Sequence, residues 1–338
     1  MAKLTEQVVG STYALAKRVV VFSGLHRRSW GKKLLVALNI LGNWLTRGLL
    51  SRRQDSLVEG HHLALANSRG PSLSFSTNLL LGRYEPEIRD LLHFQLHEGM
   101  IVLDVGAHVG YYSLLAAKLV GPKGKVYAFE PEPENFKILQ ANVASNGYEN
   151  ISLFHQAVGD RTGRVQFFLS RQGNDRHSIF LSNRESPRET CLDVPAVSLD
   201  DFFAEQGWPH VDLIKMDIEG AEPLALKGMA QLIARSENLR MIVELAPDAL
   251  RAGGFEAAEF LDQLAAAGFH LYVPSPNGML TALSPADFMS FAQNLEKLGV
   301  LNLFCEKNPA QTEESPRPAA GMTQVLTNLG SRSPRDGA

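Results

Sequence analysis

Three observations predict an α/β fold built on a mostly parallel, doubly wound sheet. From Met100 onward, short apolar strands alternate with helical stretches, the pattern of βαβ units. A glycine-containing loop, Asp104-Val-Gly106-Ala-His108-Val-Gly110, follows the first of these strands. The last two strands lack a clear helix of crossover length between them, so the final strand is expected to enter antiparallel.

The elements follow in order. Ile101–Val105 is the first strand, and Tyr111–Val120 is the helix after the glycine loop. Lys125–Glu130 is the second strand. Glu132–Asn146 reads as a helix, because Pro133 and acidic residues fill its first turn and Gly147 follows its end. Ile151–Val158 is the third strand, and Gly163–Ser170 and Asp193–Ser198 are additional strands around a polar insertion. Val211–Asp217 and Arg240–Leu245 are buried-type strands, each followed by helix-forming sequence. Phe269–Val273 and Val300–Cys305 complete the set. Between them lie a turn-rich segment with Pro274, Pro276, Asn277 and Gly278 and a short helical piece near Pro285–Lys297.

The chain of 338 residues, 45% hydrophobic and 20% charged, is long enough for one large domain with extensions. Two cysteines, Cys191 and Cys305, rule out a disulfide scaffold and fit a reducing, cytoplasmic setting. Residues 1–60 carry ten Lys/Arg against three Asp/Glu, or +7, which leaves −10 for the rest of a chain of net charge −3. An acidic body argues against a nucleic-acid partner. The expected organisation is a basic, helical extension over 1–70, an α/β body over 71–307 and a disordered tail over 308–338, rich in Pro, Ser, Thr and Gly. Within the extension, Leu34–Thr46 runs thirteen residues without a charge, short of the ~20 a membrane span needs. Lys32 and Lys33 precede it, and Arg47, Arg52 and Arg53 follow. Residues 32–53 are therefore expected to pack on the body or a second subunit, with peripheral contact to an anionic membrane as the alternative.

In a doubly wound sheet, ligands sit beyond the carboxyl ends of the strands. Gly106 and Gly110 let the backbone approach a ligand and turn into the helix, but G-x-x-x-G is not the dinucleotide fingerprint. Asp104, at the strand end, favours a cationic group. Glu130, twenty residues beyond Gly110 at the end of the second strand, can accept hydrogen bonds from both hydroxyls of a ribose. This ordered combination points to an adenosyl cofactor. An NAD-dependent oxidoreductase using Glu130 on the ribose is the alternative enzyme, and a non-catalytic cofactor-binding scaffold is a further one.

The runs LDVGAHVGYYS, VYAFEPEPENF, VSLDDF, VDLIKMDIEGAE and IVELAP resemble the FkbM family of S-adenosylmethionine-dependent methyltransferases, over about Gly99 to Val273. The resemblance implies a Rossmann-like, seven-stranded methyltransferase sheet and methyl transfer to a hydroxyl of a small molecule or glycan. It also implies that Asp104 and the backbone around Gly106 face the methionine end, Glu130 the ribose, and Gln156-Ala157 the adenine edge. His108 stands where the family usually has Asn; it still donates and accepts hydrogen bonds, so the loop from Gly106 through His108 to Gly110 keeps its cofactor role. Tyr84-Glu85 falls where related proteins often carry an acidic residue near the cofactor, and Glu85-Pro86 equally reads as a helix start.

Strand alternation places Lys215, Asp217 and Glu219 on one side at the mouth of the fourth strand, with Met216 and Ile218 on the other. Glu244 ends the adjacent strand. A hydroxyl is a poor nucleophile at neutral pH, so a base or a metal is expected beside it. Asp217 is the first choice as base or metal ligand, with Glu219, Glu244 and Lys215 supporting. Three carboxylates suit a hard ion such as Mg²⁺, although the spacing does not demand one. His177, in the polar insertion, is the alternative base. The acceptor pocket is expected from Ser170–Cys191 and the N-terminal region.

Overall fold

The computed structural model describes residues 56–65, 73–80, 82–169, 178–180, 190–275 and 279–308. The apolar stretch over 34–46, the alternative base His177 and residues 309–338 of the expected tail lie outside these. No described helix is long and apolar enough to cross a membrane.

The expected helical extension differs at its end. Ser56–Val58 (β1) and His61–Leu63 (β2) form an antiparallel hairpin. Glu59 and Gly60 both have positive φ (50° and 87°), the backbone that a two-residue hairpin turn requires. Two helices follow, α1 (Leu73–Leu80) and α2 (Pro86–Gln95), the second with Pro86 in its first turn.

The body alternates as its sequence pattern predicts, except that the expected third strand, Ile151–Val158, breaks into two strands that join different sheets. Ile101–Val105 (β3), Tyr111–Val120 (α3), Lys125–Phe129 (β4), Pro133–Asn146 (α4) and Ile151–Phe154 (β5) make the first half. Ala157–Val158 (β6), Gly163–Leu169 (β7) and Thr190–Val197 (β8) leave the main sheet and pair in the order β6-β8-β7. The second half contains Leu199–Glu205 (α5), Leu213–Met216 (β9), Glu222–Lys227 (α6), Ala230–Arg235 (α7) and Arg240–Leu245 (β10). It continues through Pro247–Ala252 (α8), Ala257–Ala266 (α9), His270–Pro274 (β11) and Leu280–Leu283 (β12) to Phe288–Leu298 (α10) and Leu301–Glu306 (β13).

The main sheet has the order β12-β11-β13-β10-β9-β3-β4-β5. Strands β5, β4, β3, β9 and β10 are mutually parallel, and β13 is antiparallel to both β10 and β11. The antiparallel last strand is thus as expected. The sheet gains an eighth, edge strand, because the chain folds back between Ser275 and Met279, whose backbone groups bond at 2.9 Å, and β12 pairs with β11. The helical piece before β13 is also fuller than its sequence suggested: a 3₁₀ turn, Pro285–Asp287, leads into the eleven residues of α10.

Each strand sorts its residues between two cores. Leu103, Val105, Ile214, Met216, Met241 and Val243 face α5 to α10. Val102, Val126, Ala128, Leu213, Ile242 and Phe304 face α3, α4 and the N-terminal elements. Strand order reverses between β3 and β9, which opens the crevice at their carboxyl ends.

Candidate active site

A cleft open to solvent occupies that crevice. Of the residues singled out in the sequence, Gly106, His108, Glu130, Gln156, Ala157, Lys215, Asp217 and Glu219 line it. Asp104, Gly110 and Glu244 do not; they support the lining from behind.

The β3–β4 side is shaped by backbone geometry. Gly106 has φ 84°, and a Cβ there would collide with the carbonyl of Asp217, so glycine is required for the β3 and β9 loops to touch. Gly110 (φ 91°) begins α3, and its Cβ would meet Leu139 of α4. His108 has φ 52°, a left-handed conformation that Asn and His tolerate better than most residues. This explains why histidine can replace asparagine in the loop. Glu130 is 5% exposed; its two oxygens accept the amides of His108 (2.8 Å) and Glu132 (2.9 Å). Burial nevertheless outweighs these bonds and pushes its pKa up to about 7. Glu132 caps α4 by accepting the amide of Asn135 at 2.6 Å.

Asp104 is buried, with Oδ2 accepting the Ser113 hydroxyl at 2.5 Å. Its Oδ1 has no hydrogen-bond partner among the described residues, and burial raises its pKa even against the attraction of Lys215. A glycine-lined approach and a buried Glu130 that retains acceptor capacity fit the ribose part of S-adenosylmethionine.

The β9–β10 side is held by side chains. Asp104 and Lys215 are register partners on adjacent parallel strands. Lys215 Nζ donates to Asp217 Oδ2 at 3.1 Å and lies 5.0 Å from the centre of the Tyr112 ring. Burial opposes its charge, but Asp217, Asp104 and Glu85 outweigh burial and raise its pKa above the ordinary lysine value. Lys215 is therefore an ammonium and not a base. The expected alternation stops at Met216, where β9 ends; Asp217 and Glu219 lie in the following loop. Glu219 turns left-handed (φ 54°) before Gly220 (φ 96°), and its carbonyl accepts the Ser178 hydroxyl at 2.7 Å. This loop, rather than strand pleating, brings carboxylate oxygens of Asp217, Glu219 and Glu244 within 4.8 Å of one another. Glu222, at the start of α6, accepts the amide of Ile218 at 2.9 Å and is pushed by burial to about 7.

Apart from Tyr84 and Glu85, several contributors were not singled out in the sequence. Phe75, Tyr84, Tyr111 and Tyr112 line the cleft as an aromatic wall, with Phe75 edge-on to Tyr84 and to His108. Their signal was present in the tyrosine pair that begins the helix after the glycine loop. Glu85 does serve as a helix start, ahead of Pro86, and it also accepts the Tyr112 hydroxyl at 2.7 Å. Asn302, alone among the apolar residues Leu301–Cys305, was a readable signal of a buried polar role.

A mostly parallel sheet with a glycine loop and the buried carboxylate Glu130 at one crevice is the setting of an S-adenosylmethionine-dependent methyltransferase. The methyltransferase FkbM domain model matches residues 104–271, and the chain belongs to that family. Membership sets aside the oxidoreductase alternative. The chain is 26% identical over 251 residues to the 2-O-methyltransferase NoeI of Sinorhizobium fredii, covering 71% of this chain and 95% of that protein. It is 26% identical over 164 residues to the hexuronic acid methyltransferase AglP of Haloferax volcanii, covering 48% of this chain and 63% of that protein. A solved methyltransferase from Aquifex aeolicus aligns with a TM-score of 0.38 at 18% identity, covering 66% of this chain and 90% of that one.

Proposed function

We propose that this enzyme methylates a hydroxyl of a glycan or small polyhydroxylated molecule, with Asp217 taking the hydroxyl proton. The observation that carries this reading is the position of Asp217: it lines the cofactor cleft and is held 3.1 Å from a buried ammonium. The names of NoeI and AglP, which concern a 2-O position and a hexuronic acid, support a sugar-type acceptor.

When bound, S-adenosylmethionine supplies an electrophilic methyl group on a sulfonium. Gly106 and Glu130 hold that ligand, with Gln156 and Ala157 along the adenine and Asp104 supporting the loop from behind. Asp217 accepts the proton as the acceptor oxygen attacks, and Lys215 fixes its carboxylate. The aromatic wall of Phe75, Tyr84 and Tyr111 offers apolar faces of the kind that pack against sugar rings and exclude water. Asp217, Glu219 and Glu244 also form an oxygen donor set suited to a hard cation such as Mg²⁺. Residues 32–53, expected to pack on the body or a second subunit, lie outside the described residues.

The test is formation of S-adenosylhomocysteine from S-adenosylmethionine over a panel of sugars, uronic acids and phenols. Turnover confined to sugar-type hydroxyls and lost in Asp217→Asn supports the reading; full turnover by a folded Asp217→Asn refutes Asp217 as base.

A further inference from the structure

The N-terminal hairpin reaches the cofactor loop through one side chain. Asn142 lies on α4 and is only 2% exposed. Its Nδ2 donates to the carbonyl of Val109, within the loop from Gly106 to Gly110, at 2.7 Å. The same amide grips the chain just beyond β2. Its Oδ1 accepts the Ala64 amide at 2.7 Å, and its Nδ2 donates a second time, to the Ala64 carbonyl, at 3.1 Å. A side-chain amide has two donor hydrogens, so Asn142 commits one to the hairpin side and one to the loop. One turn further along α4, Asn146 makes a similar pair with His62, accepting its amide at 2.8 Å and donating to its carbonyl at 2.7 Å. The other bond of Asn146 runs to the Asn142 carbonyl within the helix, so this second rung stops short of the loop.

The loop in turn sets Glu130. The His108 amide donates to Glu130 Oε2 at 2.8 Å, and His108 and Val109 both line the cleft. Leu139, one turn before Asn142, fills the space that a Cβ on Gly110 would need, so one face of α4 meets the loop twice. A buried carbonyl that loses its donor is destabilising, and the donor to Val109 is a side chain oriented from outside the loop.

We propose that Asn142 is a positioning residue for the methyl donor. The Ala64 backbone orients its amide, the amide holds the Val109 carbonyl, and the loop so held presents the His108 amide to Glu130. Residues 56–65 lie outside the family-matched residues 104–271, so chain beyond the matched region takes part in shaping the cofactor site. The inference concerns binding of S-adenosylmethionine alone and stands whichever acceptor is methylated.

The experiment is calorimetric titration of the full chain with S-adenosylmethionine, together with hydrogen exchange over residues 106–110 in the ligand-free protein. Three variants separate holding the loop from bracing the hairpin. Asn142→Asp keeps an acceptor for the Ala64 amide and loses both donors. Ala64→Pro deletes the amide that orients Asn142 and alters no residue of α4 or the loop. Asn146→Asp removes the donation to His62 and leaves the bond to Val109 in place. Affinity should fall about tenfold in Asn142→Asp and about threefold or more in Ala64→Pro, the scale of one lost hydrogen bond. Loop exchange should be faster in both, whereas Asn146→Asp should match wild type in both readouts. An equal loss of affinity in all three variants would show only a brace and overturn the assignment to Asn142. Wild-type affinity or unchanged loop exchange in a folded Asn142→Asp overturns it as well. If that variant does not fold, the same two readouts on Ala64→Pro decide.

Discussion

On the β3–β4 side of the crevice, Glu130 is held by main-chain amides; on the β9–β10–β13 side, Asp217 and Asn302 are held by other side chains. Glu130 takes two hydrogen bonds from backbone amides, at His108 and Glu132, with the Asn135 side chain adding a third. Asp217 depends on Lys215, which in turn sits among Asp104 and Glu85 from two other elements. Asn302 reaches Glu85 across 217 positions of sequence. Backbone-held groups come pre-positioned for a constant ligand, whereas side-chain-held groups can be retuned by substitutions far away in sequence. That division suits an enzyme family that shares a methyl donor and varies its acceptor.

If the division holds, the largest effect falls on the β9 side. Asp217→Asn keeps the shape of the side chain and removes its charge; methyl transfer should drop by roughly 10²–10⁴-fold, the range of a lost general base, in a single-turnover assay with saturating cofactor. On the β4 side, the proposed role of Glu130 at the ribose predicts that Glu130→Ala weakens S-adenosylmethionine binding by about 1.5 kcal/mol or more, roughly tenfold in calorimetry. An equal loss of affinity from both substitutions would erase the distinction between the two sides.

The strand-end acids Asp104 and Glu130 were legible because each is announced locally, by an apolar strand before it and a glycine loop or a helix start after it. Asp217, Glu219 and Glu244 were also legible as a group, but for a partly mistaken reason. Pleating would have aligned 215, 217 and 219, whereas the structure ends β9 at Met216 and uses the left-handed Glu219-Gly220 turn to gather the carboxylates. Asn302 is marked in the sequence as the polar residue of an apolar strand, but which residues neighbour it, Glu244 and Glu85, is not, because register is a property of the assembled sheet. The hairpin at 56–63 escaped because its strands have three residues each, too few to display a period of two, and its turn carries Glu59 at a positive φ that favours other residues.

A smaller effect separates pH from chemistry. Glu130 and Glu222 both have pKa values raised to about 7 in the folded chain, from an ordinary 4.5. The native state therefore holds protons that the unfolded chain releases between those values, and stability declines as pH rises from about 4.5 through about 7. The melting temperature should be higher at pH 5 than at pH 8. Glu222→Gln, which retains an acceptor for the Ile218 amide, should reduce that difference without altering cofactor affinity. Over the same range S-adenosylmethionine binding should strengthen with rising pH, since ionised Glu130 is the better acceptor for ribose hydroxyls. A flat melting profile together with flat affinity would show that both glutamates are ionised throughout.

The most direct test of the two-sided crevice is a calorimetric titration of folded Asp217→Asn with S-adenosylmethionine. The division of labour requires a dissociation constant within about twofold of wild type in a protein that no longer transfers the methyl group. A loss of affinity of tenfold or more would place Asp217 in the cofactor site and contradict it.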